Sequence, residues 1–113
     1  MDLNSMTLGQ LKQVQALFGN VVGGIPDHAY PVGEPVFVRG VTMHYTGRLA
    51  RVTAGELVLT DCAWIADSGR FSAALATGVL AEVEPYPDGE VVVSRGAVAD
   101  IARWSHPLPR AVK

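Results

Sequence analysis

The feature that most constrains this chain is a series of alternating apolar and polar segments between Val36 and Trp104, punctuated by glycine, proline and aspartate. A two-residue period marks strands with one buried face. Val36, Val38, Val41, Met43 and Tyr45 alternate with Phe37, Arg39, Thr42 and His44, which reads as one strand that bends near Gly40 and continues through Gly47 to Val52. Thr53-Ala54-Gly55 is a turn, and Glu56 to Ile65 is the partner strand. Val79 to Tyr86 then pairs with Glu90 to Ser94 as a hairpin across Pro87-Asp88-Gly89, whose proline and glycine suit a tight turn. After Gly96 a last strand runs from Ala97 to Trp104. Five or so bent strands in this span close most readily into a small barrel, because closure removes exposed edges.

Helical signals flank and interrupt this pattern. Thr7 with Gln10 three residues on forms a capping box, Leu8, Leu11, Val14, Leu17 and Phe18 make an apolar stripe, and Gly19 is a stop. Residues 7–19 are therefore expected to form an amphipathic helix, which either covers an open end of the domain or docks on a neighbouring subunit. Residues 20–35 are rich in glycine and proline and read as a linker. Asp67 and Ser68 are expected to cap a second, short helix with Phe71, Ala74 and Leu75 on one side and Gly78 at its end. The whole chain, 1–113, reads as a single domain with its strands in 36–104 and a tail over 105–113.

A chain of 113 residues can bury one hydrophobic core without disulfides or metals. Apolar residues are 49% and charged residues only 18%, so some apolar surface is expected to remain after folding, which favours self-association. A net charge of −2 argues against binding nucleic acid through bulk positive charge. Cys62, the single cysteine, sits beside Leu59, Ala63, Trp64 and Ile65 and reads as a buried thiol in a reducing compartment. No apolar run approaches the roughly eighteen residues of a membrane span, and Met1 to Met6 lack a leader's basic and apolar regions. The expectation is a cytoplasmic protein, or one inside a particle assembled in the cytoplasm, with no membrane contact.

No catalytic constellation stands out. His28, His44 and His106 lie far from one another and from Cys62, so no metal site is expected. Asp61, Asp67, Glu82 and Glu84 would support acid–base chemistry only if they met in a pocket; otherwise they are a cap and a solvated strand face. Trp64, Asp67, Arg70 and Phe71 fall within eight residues, and tryptophan and arginine are common interface anchors. Either they form a subunit contact, or Trp64 and Phe71 close the barrel while Asp67 pairs with Arg70. Trp104 and Leu108, in a proline-rich tail, either pack back on the domain or reach a neighbour. Arg39, Arg48, Arg51 and Arg95 would make an anion or nucleotide site if they converged around Tyr45.

Two resemblances add to this. Val36-Phe37-Val38, Gly47-Arg48-Leu49 with Val52, and Leu57-Val58-Leu59-Thr60-Asp61-Cys62-Ala63 resemble the first half of the Sm and Sm-like family, and Ser94-Arg95-Gly96-Ala97-Val98-Ala99-Asp100-Ile101 is similar to its second motif. The resemblance implies a mainly β fold with minor α: a small five-stranded barrel of the SH3 or Sm-like type, preceded by the N-terminal helix, with a short helix inserted between strands 3 and 4. It also implies RNA binding, although Thr53-Ala54-Gly55-Glu56 stands where that family carries its base-gripping Asp and Asn. The run Ala63-Trp64-Ile65-Ala66-Asp67-Ser68-Gly69-Arg70-Phe71, with Glu82-Val83-Glu84-Pro85 and Trp104-Ser105-His106-Pro107-Leu108-Pro109, resembles an uncharacterised family of small bacteriophage and bacterial proteins and implies a phage or prophage setting. The functional expectation is a non-enzymatic, cofactor-free module that forms homo-oligomeric rings or lattices, alone or with phage structural proteins. The alternative is an Sm-like binder of RNA or a small nucleotide.

Overall fold

The computed structural model describes residues 28–113, so the helix expected over 7–19 lies outside the described residues. Six strands form one antiparallel sheet: β1 (Pro35–Gly40), β2 (His44–Val52), β3 (Glu56–Asp67), β4 (Glu82–Pro85), β5 (Glu90–Ser94) and β6 (Val98–Arg103). Their order is β4-β3-β2-β1-β6, with β5 also paired to β3. Among the described residues a single α-helix, α1 (Phe71–Thr77), lies between β3 and β4, and a 3-10 turn over Arg95–Ala97 joins β5 to β6.

Two expectations about the strands are corrected. The segment from Val36 to Val52 is not one bent strand but a tight hairpin, with β1 paired to β2 from Pro35 opposite Arg48 to Arg39 opposite His44. The reversal works because the Gly40 amide donates to the Met43 carbonyl at 2.7 Å, and any Cβ at position 40 would lie only 2.7 Å from that same oxygen. Nor do Val79–Tyr86 and Glu90–Ser94 form a hairpin with each other. β4 and β5 are both antiparallel to β3, hence parallel to one another, and lie end to end along one edge of it: β4 against Ala63–Asp67, β5 against Glu56–Thr60. β3 has twelve residues, enough to serve both, and Pro87-Asp88-Gly89 belongs to an excursion between them.

That excursion faces a bulge in β3. Between the pairs Thr46–Ala63 and Arg48–Thr60, Asp61 and Cys62 together oppose Gly47 alone. Asp61 takes a left-handed backbone, φ 48°, as aspartate tolerates better than most residues. Gly47 leaves room for it, since a Cβ there would crowd the Thr60 carbonyl and the Cys62 Cα at 3.1 and 3.4 Å.

The sheet is buried on both faces, and Val36, Phe37 and Val38 are all fully buried. Val36, Val38, Leu49, Leu57, Leu59, Cys62 and Val93 form a first core, to which Val98 and Ile101 of β6 contribute, so the sheet curls until β5 and β6 share one interior. On the opposite face Phe37, Ala63, Ile65, Ala74, Leu80, Val83 and Trp104 form a second core, with Phe71, Leu75 and Leu108 at its margin. Each fully buried Val, Leu or Phe in these clusters contributes about 1.5–3 kcal/mol relative to exposure.

α1 is the lid of the second core. It is too short to be stable alone and is held by packing, with Ala74 buried and Phe71 edge-on to Phe37 at 5.4 Å. Its N-cap is Arg70, without a side-chain bond; Asp67 instead accepts from the Gly69 amide at 2.7 Å and shapes the turn before it. Gly78 ends the helix at φ 77°. The chain after β6 returns across this face: the Trp104 indole donates to the Pro107 carbonyl at 3.2 Å, and His106 Nε2 meets the Leu75 carbonyl at 2.7 Å. Arg110 then donates to the carbonyls of Cys62 and Tyr86, and Lys113 exchanges both backbone bonds with Val83, covering part of the outer edge of β4.

Candidate functional site

The arginines singled out in the sequence do not converge around Tyr45. Arg39 grips Asp100 with both arms of its guanidinium and lies 4.1 Å over the Phe71 ring. Arg48 donates to the Gly33 carbonyl at 2.9 Å, and Arg51 forms a two-armed pair with Glu90 at 2.6 and 2.9 Å. Arg95 donates to the Thr53 carbonyl at 2.7 Å and stands 5.1 Å from the Tyr30 ring. Tyr45 gives its hydroxyl proton to the Met43 sulfur. These arginines tie strands and turns together. The Arg39 bond holds the Asp100 carboxyl below its ordinary range, and the Arg51 bond does the same to Glu90.

The six residues considered for an interface divide between inside and outside. Trp104 is 2% exposed, while Leu108 and Phe71 are half-buried against the second core, which uses all three within the chain. Trp64 is 38% exposed although Ala63 and Ile65 on either side are buried. Arg70 is exposed and enters no ion pair among the described residues; Asp67 bonds the backbone of Gly69 rather than Arg70.

Cys62 is buried, and burial pushes its thiol up to about 12 while Arg110 pulls weakly the other way. At neutral pH it stays protonated and is a poor nucleophile. No group of three or more His, Cys, Asp or Glu residues able to hold a metal occurs among the described residues, and Glu82 and Glu84 lie exposed on β4.

Surface hollows mark three other places. One, about 430 Å3, is bounded by His28, Tyr30, Pro31, Arg95 and Ile101. A groove of about 230 Å3 runs between the Val41–Met43 turn and β5, with Val41 77%, Met43 50% and Val92 56% exposed around it. A third, about 240 Å3, is lined by Trp64, Glu84, Pro85, Tyr86 and Pro87. Sequence reading did not find the groove, because Val41 and Met43 fit the strand alternation and so passed for core residues.

Backbone valences mark one further feature. Among the described residues β5 pairs only with β3 and β6 only with β1, which leaves one edge of each strand unpaired. No described helix is long and apolar enough to cross a membrane. The chain matches no protein-family model, no curated protein and no solved structure.

Proposed function

We propose that the protein is a non-enzymatic self-assembling module, a small SH3- or Sm-like barrel whose copies join into a ring or lattice. In this reading β6-β1-β2-β3-β5 are the barrel strands, the 3-10 turn over Arg95–Ala97 brings β5 round to β6, and β4 with α1 is an elaboration on the outside. The observation that carries the reading is the edge of β5 that is unpaired among the described residues, where Val91, Val92 and Val93 follow one another without charge or proline beside the apolar groove at Val41 and Met43. Edge strands are normally guarded by charge, proline or a covering segment. Here a second chain adds hydrogen bonds and covers Val92 together. A place as an accessory part of a phage-like particle rests on the Ala63–Phe71 and Trp104–Pro109 runs and goes with a cytoplasmic site of assembly.

Sedimentation velocity over a wide concentration range tests the reading. Species heavier than the 12.0 kDa chain are expected, with Val92→Lys shifting them towards the monomer. A chain that stays monomeric at the highest concentration overturns it.

A second reading, binding of RNA or a small nucleotide, draws on the 430 Å3 hollow where Arg95 stands over Tyr30 beside His28. An arginine and an aromatic ring can grip a base and its phosphate together. Copurified nucleic acid, read from the absorbance ratio of the same sample, with loss on Arg95→Ala, would favour it over assembly alone.

A further inference from the structure

Trp64 is a large aromatic left 38% exposed in the second half of the longest strand, with Cys62, Ala63 and Ile65 around it buried to 3% exposure or less. Its register partners are Tyr45 on β2 and Glu84 on β4, which puts the three side chains in a row on one face of the sheet. Tyr86, two residues beyond Glu84, brings its ring to 6.4 Å from that of Tyr45. Pro85 and Pro87 complete the wall of the 240 Å3 hollow.

The charges beside this hollow do not balance. Glu34, Glu90 and Asp100 each hold an arginine, whereas Glu84 has no ion pair among the described residues. Arg110, which reaches the residues beside it, is committed to the carbonyls of Cys62 and Tyr86 at 3.0 and 2.9 Å. An aromatic face beside an unpaired carboxylate attracts a cation, and the rigid proline walls fix its approach.

We propose that this hollow is a binding site for an arginine side chain presented by an extended partner peptide. The guanidinium plane stacks on the Trp64 indole, its two-pronged edge donates to the Glu84 carboxylate, and Tyr86 flanks its methylene stem. Arginine fits better than lysine because its planar, weakly hydrated head can stack and pair at once, while an ammonium group can do only one well. An apolar side chain would cover Trp64 but leave Glu84 desolvated without a partner. The site does not depend on self-assembly, since all its residues come from one chain.

The test is a titration of the full chain with N-acetyl-arginine-N-methylamide, followed by the NMR signals of the two indole N–H groups. Trp104, buried in the second core, is the internal reference. A saturable shift of the Trp64 signal with an affinity of roughly millimolar is expected, as one stacked and paired group supports, while the Trp104 signal stays in place. The citrulline analogue, of the same shape but uncharged, should bind at least tenfold more weakly and the lysine analogue severalfold more weakly. Glu84→Gln, at an exposed position, should lower arginine affinity about five- to tenfold, and Trp64→Leu should remove the response of the neighbouring Tyr86 amide. A linear, non-saturating shift, equal binding of citrulline, or full affinity in Glu84→Gln would overturn the proposal.

Discussion

The two cores on opposite faces of the sheet are built differently. The first is aliphatic and comes from strands joined by short turns, so most of its contacts follow once the β1–β2 and β2–β3 hairpins form. The second is aromatic and composite: Phe37 from β1, Ala74 from a seven-residue helix, Leu80 and Val83 from β4 and its approach, and Trp104 from the start of the tail meet only when the whole chain is in place. Contacts between segments so far apart must offset a larger loop-closure entropy. The second core should therefore be the part that opens first, and α1 and the tail the parts that open with it.

Two intrinsic probes can break that comparison. Cys62 reports the first core, because its thiol reacts at pH 8 only when the core opens, and Trp104 reports the second. The largest effect is expected from Phe37→Ala, a fully buried ring against His44, Phe71 and Trp104, which should cost about 3–5 kcal/mol in a urea titration. If the cores are separable, Trp104 fluorescence shifts to the red at lower urea than Cys62 begins to react; coincident transitions would show one cooperative unit. Gly78→Ala should cost about 1–3 kcal/mol, because the residue sits at φ 77° and the new Cβ would lie 2.6 Å from the His106 ring. Its lowered Tm should come with a moved Trp104 signal and little change in Cys62 labelling.

Thr46→Val should act in the opposite direction. The Thr46 hydroxyl is buried without a hydrogen-bond partner among the described residues, on the second-core face opposite Phe37 and Ala63, and its removal should raise stability by about 1 kcal/mol on thermal melting. The smallest effect is expected from acid. Asp100 is held below its ordinary value of 3.8 by the Arg39 bond, so its contribution is complete above 3.8 and is lost as pH falls through the lower folded value. Below pH 3.8 the Tm of the parent chain should therefore converge on that of Asp100→Asn, while above it the parent melts higher. A constant gap across that range would mean that the ion pair contributes nothing.

The difference between the cores also explains what could be read from the sequence. Strand identity was legible wherever alternation is local, as at Val36, Val38, Leu57 and Leu59. The Val41–Met43 turn was hidden because those residues keep the alternation going while standing exposed. Pro87-Asp88-Gly89 marks a break in the chain but not which strand the flanking segments join, and that was decided by the length of β3. The arginines were legible as residues but not as a group. Their partners lie far along the chain, Asp100 sixty-one residues from Arg39 and Glu90 thirty-nine from Arg51, and only the folded sheet says that those charges are already engaged. For the same reason, of the cluster from Trp64 to Phe71 only Trp64 could be weighed once Glu84 and Tyr86 were known to stand beside it.

The left-handed Asp61 works as a phase shifter for everything after it in β3. Before it, Leu57 and Leu59 point into the first core; after it, Cys62 and Trp64 take up that side and Ala63 and Ile65 the other. Were the bulge straightened with Asp61 kept in the ladder, strict alternation would drive the Trp64 indole towards the face that Ile65 now fills and carry Ile65 to the side that Trp64 now holds. A single backbone angle thus determines which side chains this half of the sheet shows to the outside.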